Sequence, residues 1–197
     1  MKKSIVLGIL LAAAPASAGI LDIGTISDFV YDTVKERGVI ATLVPFKGDV
    51  SAAYAFATQV AEVEVDMETG VVEVLRLTAV HDIGRVINRL GAEGQVEGGV
   101  VMGLGYALCE ELQVEGGRVR NPSFRDYKLI TSPEVPPIDV CFVETGDPEG
   151  PYGAKGIGEA PAICTAPAVV NAVRHATGGR FVALPLTPER VFMELRG

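Results

Sequence analysis

Thr145-Gly146-Asp147-Pro148-Glu149-Gly150-Pro151-Tyr152-Gly153-Ala154-Lys155-Gly156-Ile157-Gly158-Glu159-Ala160-Pro161 places five glycines in seventeen residues, and an apolar, alanine-rich run follows. This pattern is a loop feeding a helix. Gly153, Gly156 and Gly158 permit backbone angles that other residues resist and allow close approach to a ligand. Glu159 falls at the join. The start of a helix carries free N–H groups and a partial positive charge, which favour an anion. Two roles are open to Glu159. It is a favourable end charge, or it is a general base held on a rigid element beside an open loop.

The rest of the chain supplies short elements that suit an α+β fold. Thr25 to Arg37 has the caps and apolar stripe of a short helix. Ala52 to Val65 and Val71 to Val80 alternate like strands, and Asp66-Met67-Glu68-Thr69-Gly70 between them has turn chemistry, so an antiparallel hairpin is expected. A second hairpin is expected from Glu111 to Val114 and Arg118 to Arg120, around Glu115-Gly116-Gly117. Ile138 to Glu144 reads as the strand that delivers the chain to the glycine-rich loop. Pro161 suits the first turn of the following helix, Pro167 is expected to kink or split it, and Gly178-Gly179 to end it. Thr187-Pro188 opens a short C-terminal helix.

Gly91 to Cys109 has helical apolar spacing but carries many glycines, each costing about 1 kcal/mol relative to alanine inside a helix. Gly94/Gly98 and Gly99/Gly103 lie four apart. They serve close packing against another backbone, or close approach of a ligand. The expected fold is therefore α+β: antiparallel hairpins packed with a glycine-rich helix and a loop–helix unit carrying Glu159.

Several classes of function are disfavoured. The formal charge is −8 and there is no basic run, which argues against nucleic acid as a partner. Cys109, Cys141 and Cys164 are scattered, and His81 and His175 stand alone, so no metal-ligand set is read from the sequence. Each histidine is expected on the surface or in a hydrogen bond. Lys155 precedes Gly156 rather than a hydroxyl residue, so the loop is no phosphate loop. Gly103-Leu104-Gly105 follows no strand and lacks the third glycine of a dinucleotide fingerprint. No Gly-x-Ser-x-Gly elbow occurs.

Residues 1–18 have the form of an export leader: Lys2-Lys3, an apolar run from Ile5 to Ala14 too short to span a bilayer, and Ala16-Ser17-Ala18 before Gly19. An ordinary buried N-terminal helix is the alternative. The remaining 19–197 read as one domain.

Gly153-Ala154-Lys155-Gly156-Ile157-Gly158-Glu159-Ala160-Pro161 resembles the active-site segment of the large subunit of the xanthine dehydrogenase/aldehyde oxidase family, the molybdenum hydroxylases. Glu93-Gly94-Gln95-Val96-Glu97-Gly98-Gly99, followed by Gly103-Leu104-Gly105, resembles that family's Gly-Gln-x-x-Gly helix start. His81 to Asn88 resembles a stretch that ends in Asn-Pro in the family, although here Arg89 replaces the proline. Tyr127 and Lys128 also stand where the family has similar residues. The resemblance runs roughly from Ser27 to Leu195 and is strongest from Tyr54 to Cys164.

It implies that 19–197 is part of the second molybdopterin-binding half of such a subunit. Glu159 would be the base that activates a molybdenum-bound hydroxyl. Gln95 would hydrogen-bond the pterin, with Gly156 and Gly158 also against the cofactor. The implied cofactor is molybdenum on molybdopterin in a dinucleotide form. The implied reaction hydroxylates an aldehyde carbon, or a carbon next to nitrogen in a heterocycle, with oxygen from water. The family's large subunit is much longer. The resemblance therefore implies partner chains: the rest of the large subunit, an iron–sulfur subunit and a flavin subunit. It implies a cytoplasmic enzyme, whereas a working leader would send the chain to the periplasm. The competing expectations are an isolated α+β domain or fragment that binds no cofactor, and a module that clasps another polar or anionic ligand.

Overall fold

The computed structural model describes residues 2–12, 54–148 and 150–197; of 2–12 it describes the backbone alone. The helix expected from Thr25 to Arg37 and the cleavage pattern before Gly19 lie outside the described residues.

Strand β2 (Phe56–Asp66) alternates between buried and less buried residues along its length, as its sequence alternation requires. It pairs antiparallel with β3 (Val72–Asp82) through the expected turn. In that turn Gly70 has φ 76°, and its N–H donates to the Asp66 carbonyl at 2.7 Å. The leader-like sequence forms strand β1 (Lys2–Ala12) and not the helix given as the alternative to a leader; it pairs antiparallel with the other edge of β2, Lys2 opposite Asp66 and Ala12 opposite Ala57. Two-residue strands β4 (Val114–Glu115) and β5 (Arg118–Val119) form a separate hairpin. This hairpin is shorter than expected, because all four residues are exposed and no apolar face extends the ladder.

Strand β6 (Ile138–Val143) pairs parallel with β3, Leu77 opposite Ile138 and Asp82 opposite Val143. The sheet order is β1-β2-β3-β6. The architecture is mixed α+β, and the main sheet is not purely a set of antiparallel hairpins. The parallel pairing matters for the site. It brings the chain out of β6 beside the end of β3, where the glycine-rich loop begins.

The described residues form three α-helices, of which the first two pack on the sheet. Helix α1 (Arg89–Leu108) contains the glycine-rich segment and is capped by Asn88, whose Oδ1 accepts the Gly91 N–H at 3.0 Å. Helix α2 (Ala160–Thr177) starts at Pro161's turn, with Glu159 as N-cap residue, and ends on Gly178 at φ 79°. Pro167 does not split α2. Pro167 and Ile163 are on the exposed face, so the hydrogen bond that proline removes is lost on the water side. Helix α3 (Pro188–Arg196) is capped by Thr187, as expected.

Helices α1 and α2 pack on each other, and α2 lies across β2. The core is made of Ala61, Val63, Val65, Leu77 and Ala79 from the sheet, with Val96, Val100 and Leu104 from α1 and Val169, Ala172 and Val173 from α2. Each buried valine or leucine contributes roughly 1.5–3 kcal/mol relative to an exposed one. Among the described residues, no helix is long and apolar enough to cross a membrane.

The two glycine pairs of α1 do different things. At Gly99 a Cβ would collide with Pro161, and at Gly103 with Thr165, so this pair lets α1 and α2 approach closely. At Gly94 and Gly98 a Cβ would meet nothing within 4 Å. That pair instead lines an open groove with Val101, Val135 and Pro136.

Candidate functional site

The end of β3 fastens the glycine-rich loop. The Asp82 carboxylate accepts hydrogen bonds from Lys155 Nζ at 2.7 Å, from Thr145 Oγ1 at 2.9 Å and from the Gly84 N–H at 3.0 Å. The side chains of Asp82 and Lys155 are each only 8% exposed. The Lys155 N–H also donates to the Ile83 carbonyl at 2.8 Å. Burial pushes the Asp82 carboxyl up. The hydrogen bonds from Lys155, Gly84 and Thr145, together with the Lys155 charge, outweigh this and hold it below its ordinary 3.8. Gly84, at φ 68°, has no room for a side chain, because a Cβ would run into the Gly153 carbonyl.

Within the loop, the Asp147 N–H donates to the Gly153 carbonyl and the Gly150 N–H to Asp147 Oδ1, both at 2.9 Å. Gly146 and Gly153 have positive φ, but Gly156 and Gly158 do not. Of the three glycines that permit such angles, Gly153 alone uses one. At Gly156 and Gly158 a Cβ would project into open space, so what they leave is an uncovered stretch of backbone.

This uncovered backbone meets α1. Gln95 Nε2 donates to the Gly158 carbonyl at 2.5 Å. Gln95, Gly158, Lys155, Arg85, Asn88 and Gly91 line one cleft of about 350 Å³, with Ile83, Ile87 and Ile157 as its apolar patches. Glu159 follows Gly158 directly. It is exposed, and its side chain makes no capping bond to its own helix. The structure thus brings Gln95, Gly158 and the backbone of Glu159 together. Gly156 lies between two cleft residues.

His81 departs from its expectation. It is 2% exposed, and its Nε2 has no hydrogen-bond partner. Burial holds its pKa below the ordinary 6.5. It sits at the inward end of β3, opposite Ala57 and Phe142. His175 is exposed, as expected.

Arg85, the pairing of Asp82 with Lys155, and the pair Gln59–Thr165 were not read from the sequence. Asp82 had a visible signal, a charge at the end of the strand pattern Val71 to Val80 and before Ile83 and Gly84. Gln59 had one too, since it shares the inward parity of Ala61, Val63 and Val65. Arg85 had none.

The cleft chemistry fits a polar, anionic ring cofactor. Arg85 offers a guanidinium, Gln95 an amide that both donates and accepts, and the glycine loop offers accessible backbone. Comparison with known proteins agrees. The family model for the molybdopterin cofactor-binding domain matches residues 22–136. The putative xanthine dehydrogenase molybdenum-binding subunit of Escherichia coli is 44% identical over 142 residues, 71% of this chain and 19% of that protein. The aldehyde oxidoreductase structure from Desulfovibrio gigas superposes with a TM-score of 0.69 at 32% identity, covering 74% of this chain and 16% of that one. Quinoline 2-oxidoreductase from Pseudomonas putida 86 gives 0.69 at 34% identity, covering 72% and 19%. The chain spans about a fifth of the length of these relatives. It belongs to the molybdopterin cofactor-binding domain family, as found in the large subunits of the xanthine dehydrogenase and aldehyde oxidoreductase group.

Proposed function

We propose that this chain is a molybdopterin-binding portion of a molybdenum hydroxylase that oxidises an aldehyde or an N-heterocycle with water as oxygen source. The observation that carries the reading is the bond from the Gln95 amide to the Gly158 carbonyl, which joins the glycine-rich helix to the loop ending in Glu159 at one cleft. Gln95 and the backbone at Gly156 and Gly158 hold the pterin, in a dinucleotide form, and Arg85 adds positive charge to the same cleft. Bound there, the cofactor supplies a molybdenum redox centre for two-electron oxidation of the substrate carbon.

Glu159 is the base. With the cofactor bound, its carboxylate would accept the proton of the water-derived hydroxyl. Its placement suits the task, because the backbone on both sides is fixed while the side chain is spent on no bond to its own helix. The remaining large-subunit portion completes the cofactor cavity and the substrate pocket. Iron–sulfur and flavin centres on partner chains carry the electrons away. The cysteines here do not gather to hold a cluster: Cys164 is buried, Cys141 exposed and Cys109 between them.

The test is co-expression with the partner large-subunit chain, followed by assay of molybdenum, pterin and oxidation of an aldehyde or N-heterocycle. Glu159→Gln should retain both molybdenum and pterin and lose about 10²–10⁴-fold in kcat, the range for a positioned general base. Gln95→Ala should lower pterin occupancy. A chain that takes up neither partner nor molybdenum would be a non-catalytic α+β domain instead.

A further inference from the structure

Gln59 is fully buried on the inward face of β2, at a position whose neighbours of like parity are Ala61, Val63 and Val65. An amide there is costly unless both ends are bonded. Both are. Gln59 Nε2 donates to the Pro161 carbonyl at 2.7 Å, and Gln59 Oε1 accepts the Thr165 hydroxyl at 2.7 Å. The Thr165 oxygen also lies 3.1 Å from the Pro161 carbonyl. A carbonyl cannot donate, so the triangle fixes which end of the amide faces Pro161.

The triangle sits on the first turn of α2. Gly99 and Gly103 let α1 press against the same two residues, Pro161 and Thr165. On the other flank of Glu159, Gln95 holds the Gly158 carbonyl. Glu159 is therefore the free link between two clamped points, one in the loop and one in the helix.

We propose that Gln59, acting through Thr165 and the Pro161 carbonyl, is a positioning residue that sets where the Glu159 carboxylate stands. This rests on the reading of Glu159 as the base. An apolar side chain at 59 would fill the core equally well, but would leave the helix start without a hydrogen-bonded stop against the sheet. Thr165 is coupled to Gln59, and its hydroxyl is the part that matters.

The experiment compares Gln59→Met, Thr165→Val and Thr165→Ser. Amide exchange is measured in the chain alone, and kcat and KM in the cofactor-loaded complex with its large-subunit partner. Gln59→Met and Thr165→Val should speed exchange of the Ala162 amide, which donates to the Glu159 carbonyl at 3.0 Å, about tenfold, as local opening becomes easier. They should lower kcat about 10- to 100-fold with KM unchanged, the scale expected when a reacting group is misplaced by about 1 Å. Thr165→Ser keeps the hydroxyl and should restore both readings. In a Glu159→Gln background, Gln59→Met should cause no further fall in kcat, since there is no base left to place. Loss of thermal stability with unchanged kcat and unchanged local exchange would overturn the proposal and leave Gln59 as a core polar pair. So would losses that multiply in full in the double variant. Full kcat in Glu159→Gln would overturn the base reading, and this role with it. Full loss in Glu159→Gln with none in Gln59→Met would overturn the positioning role alone.

Discussion

Asp82 and Lys155 stand or fall together. Both side chains are nearly out of water, and each is tolerable because the other compensates its charge. Asp82→Ala should cost about 3–5 kcal/mol, the range for stranding one partner of a buried pair. The pH dependence has a definite sign. A carboxyl held below its ordinary value contributes stability that is present above about pH 4 and is lost as pH falls through its folded-state pKa. Asp82→Asn should flatten that acid limb in chemical denaturation read between pH 5 and about pH 2. An acid limb of unchanged slope would show that the pair does not titrate as described. His81 acts in a separate window. Burial disfavours its charged form, so folding loses stability as pH falls below about 6.5. His81→Leu should remove the slope just below that pH and leave the lower limb intact.

At the scale of elements, the glycines of α1 make a direct comparison. Gly99→Ala and Gly103→Ala place a methyl group against Pro161 and Thr165, and each should destabilise by about 1–3 kcal/mol, as overpacking does. Gly94→Ala and Gly98→Ala meet nothing and should stabilise the chain by about 0.5–1 kcal/mol through helix propensity. Thermal unfolding of the four variants separates the pairs, and equal effects at all four would refute the assigned packing. The sequence showed four-residue spacing for both pairs but not which one faces α2, since that depends on how α1 is rotated against a distant element. The same limit explains the rest of the site. Alternation revealed β2 and β3, caps revealed α2 and α3, and local motifs drew attention to Gln95 and Glu159, the residues proposed for the site. The parallel partner of β3, the burial of His81 and the Asp82–Lys155 pair depend on contacts between positions far apart in the chain. Residues 82 and 155 are 73 positions apart, and no periodicity reports on that.

At the scale of the molecule, large apolar side chains remain uncovered. Leu90 and Val182 are 82% exposed, Phe124 80% and Ile163 69%. Scattered exposed leucines are ordinary, but so many on a chain spanning about a fifth of its relatives suit a unit that meets further protein. A partner that binds only the folded chain stabilises it by mass action, by about 2.7 kcal/mol at one hundred times the dissociation constant. Titrating the proposed large-subunit partner into this chain should therefore raise its Tm with partner concentration, continuously and without a plateau near stoichiometry. Leu90→Asp lies beside Asn88 and Gly91 of the cleft, so it should weaken this response more than Val182→Asp does if the partner closes over the cofactor side. A Tm independent of partner concentration would mean that the apolar surface serves no such assembly, and the hydroxylase reading would lose its second half. A Tm response that Leu90→Asp leaves intact would instead move the interface away from the mouth of the cleft.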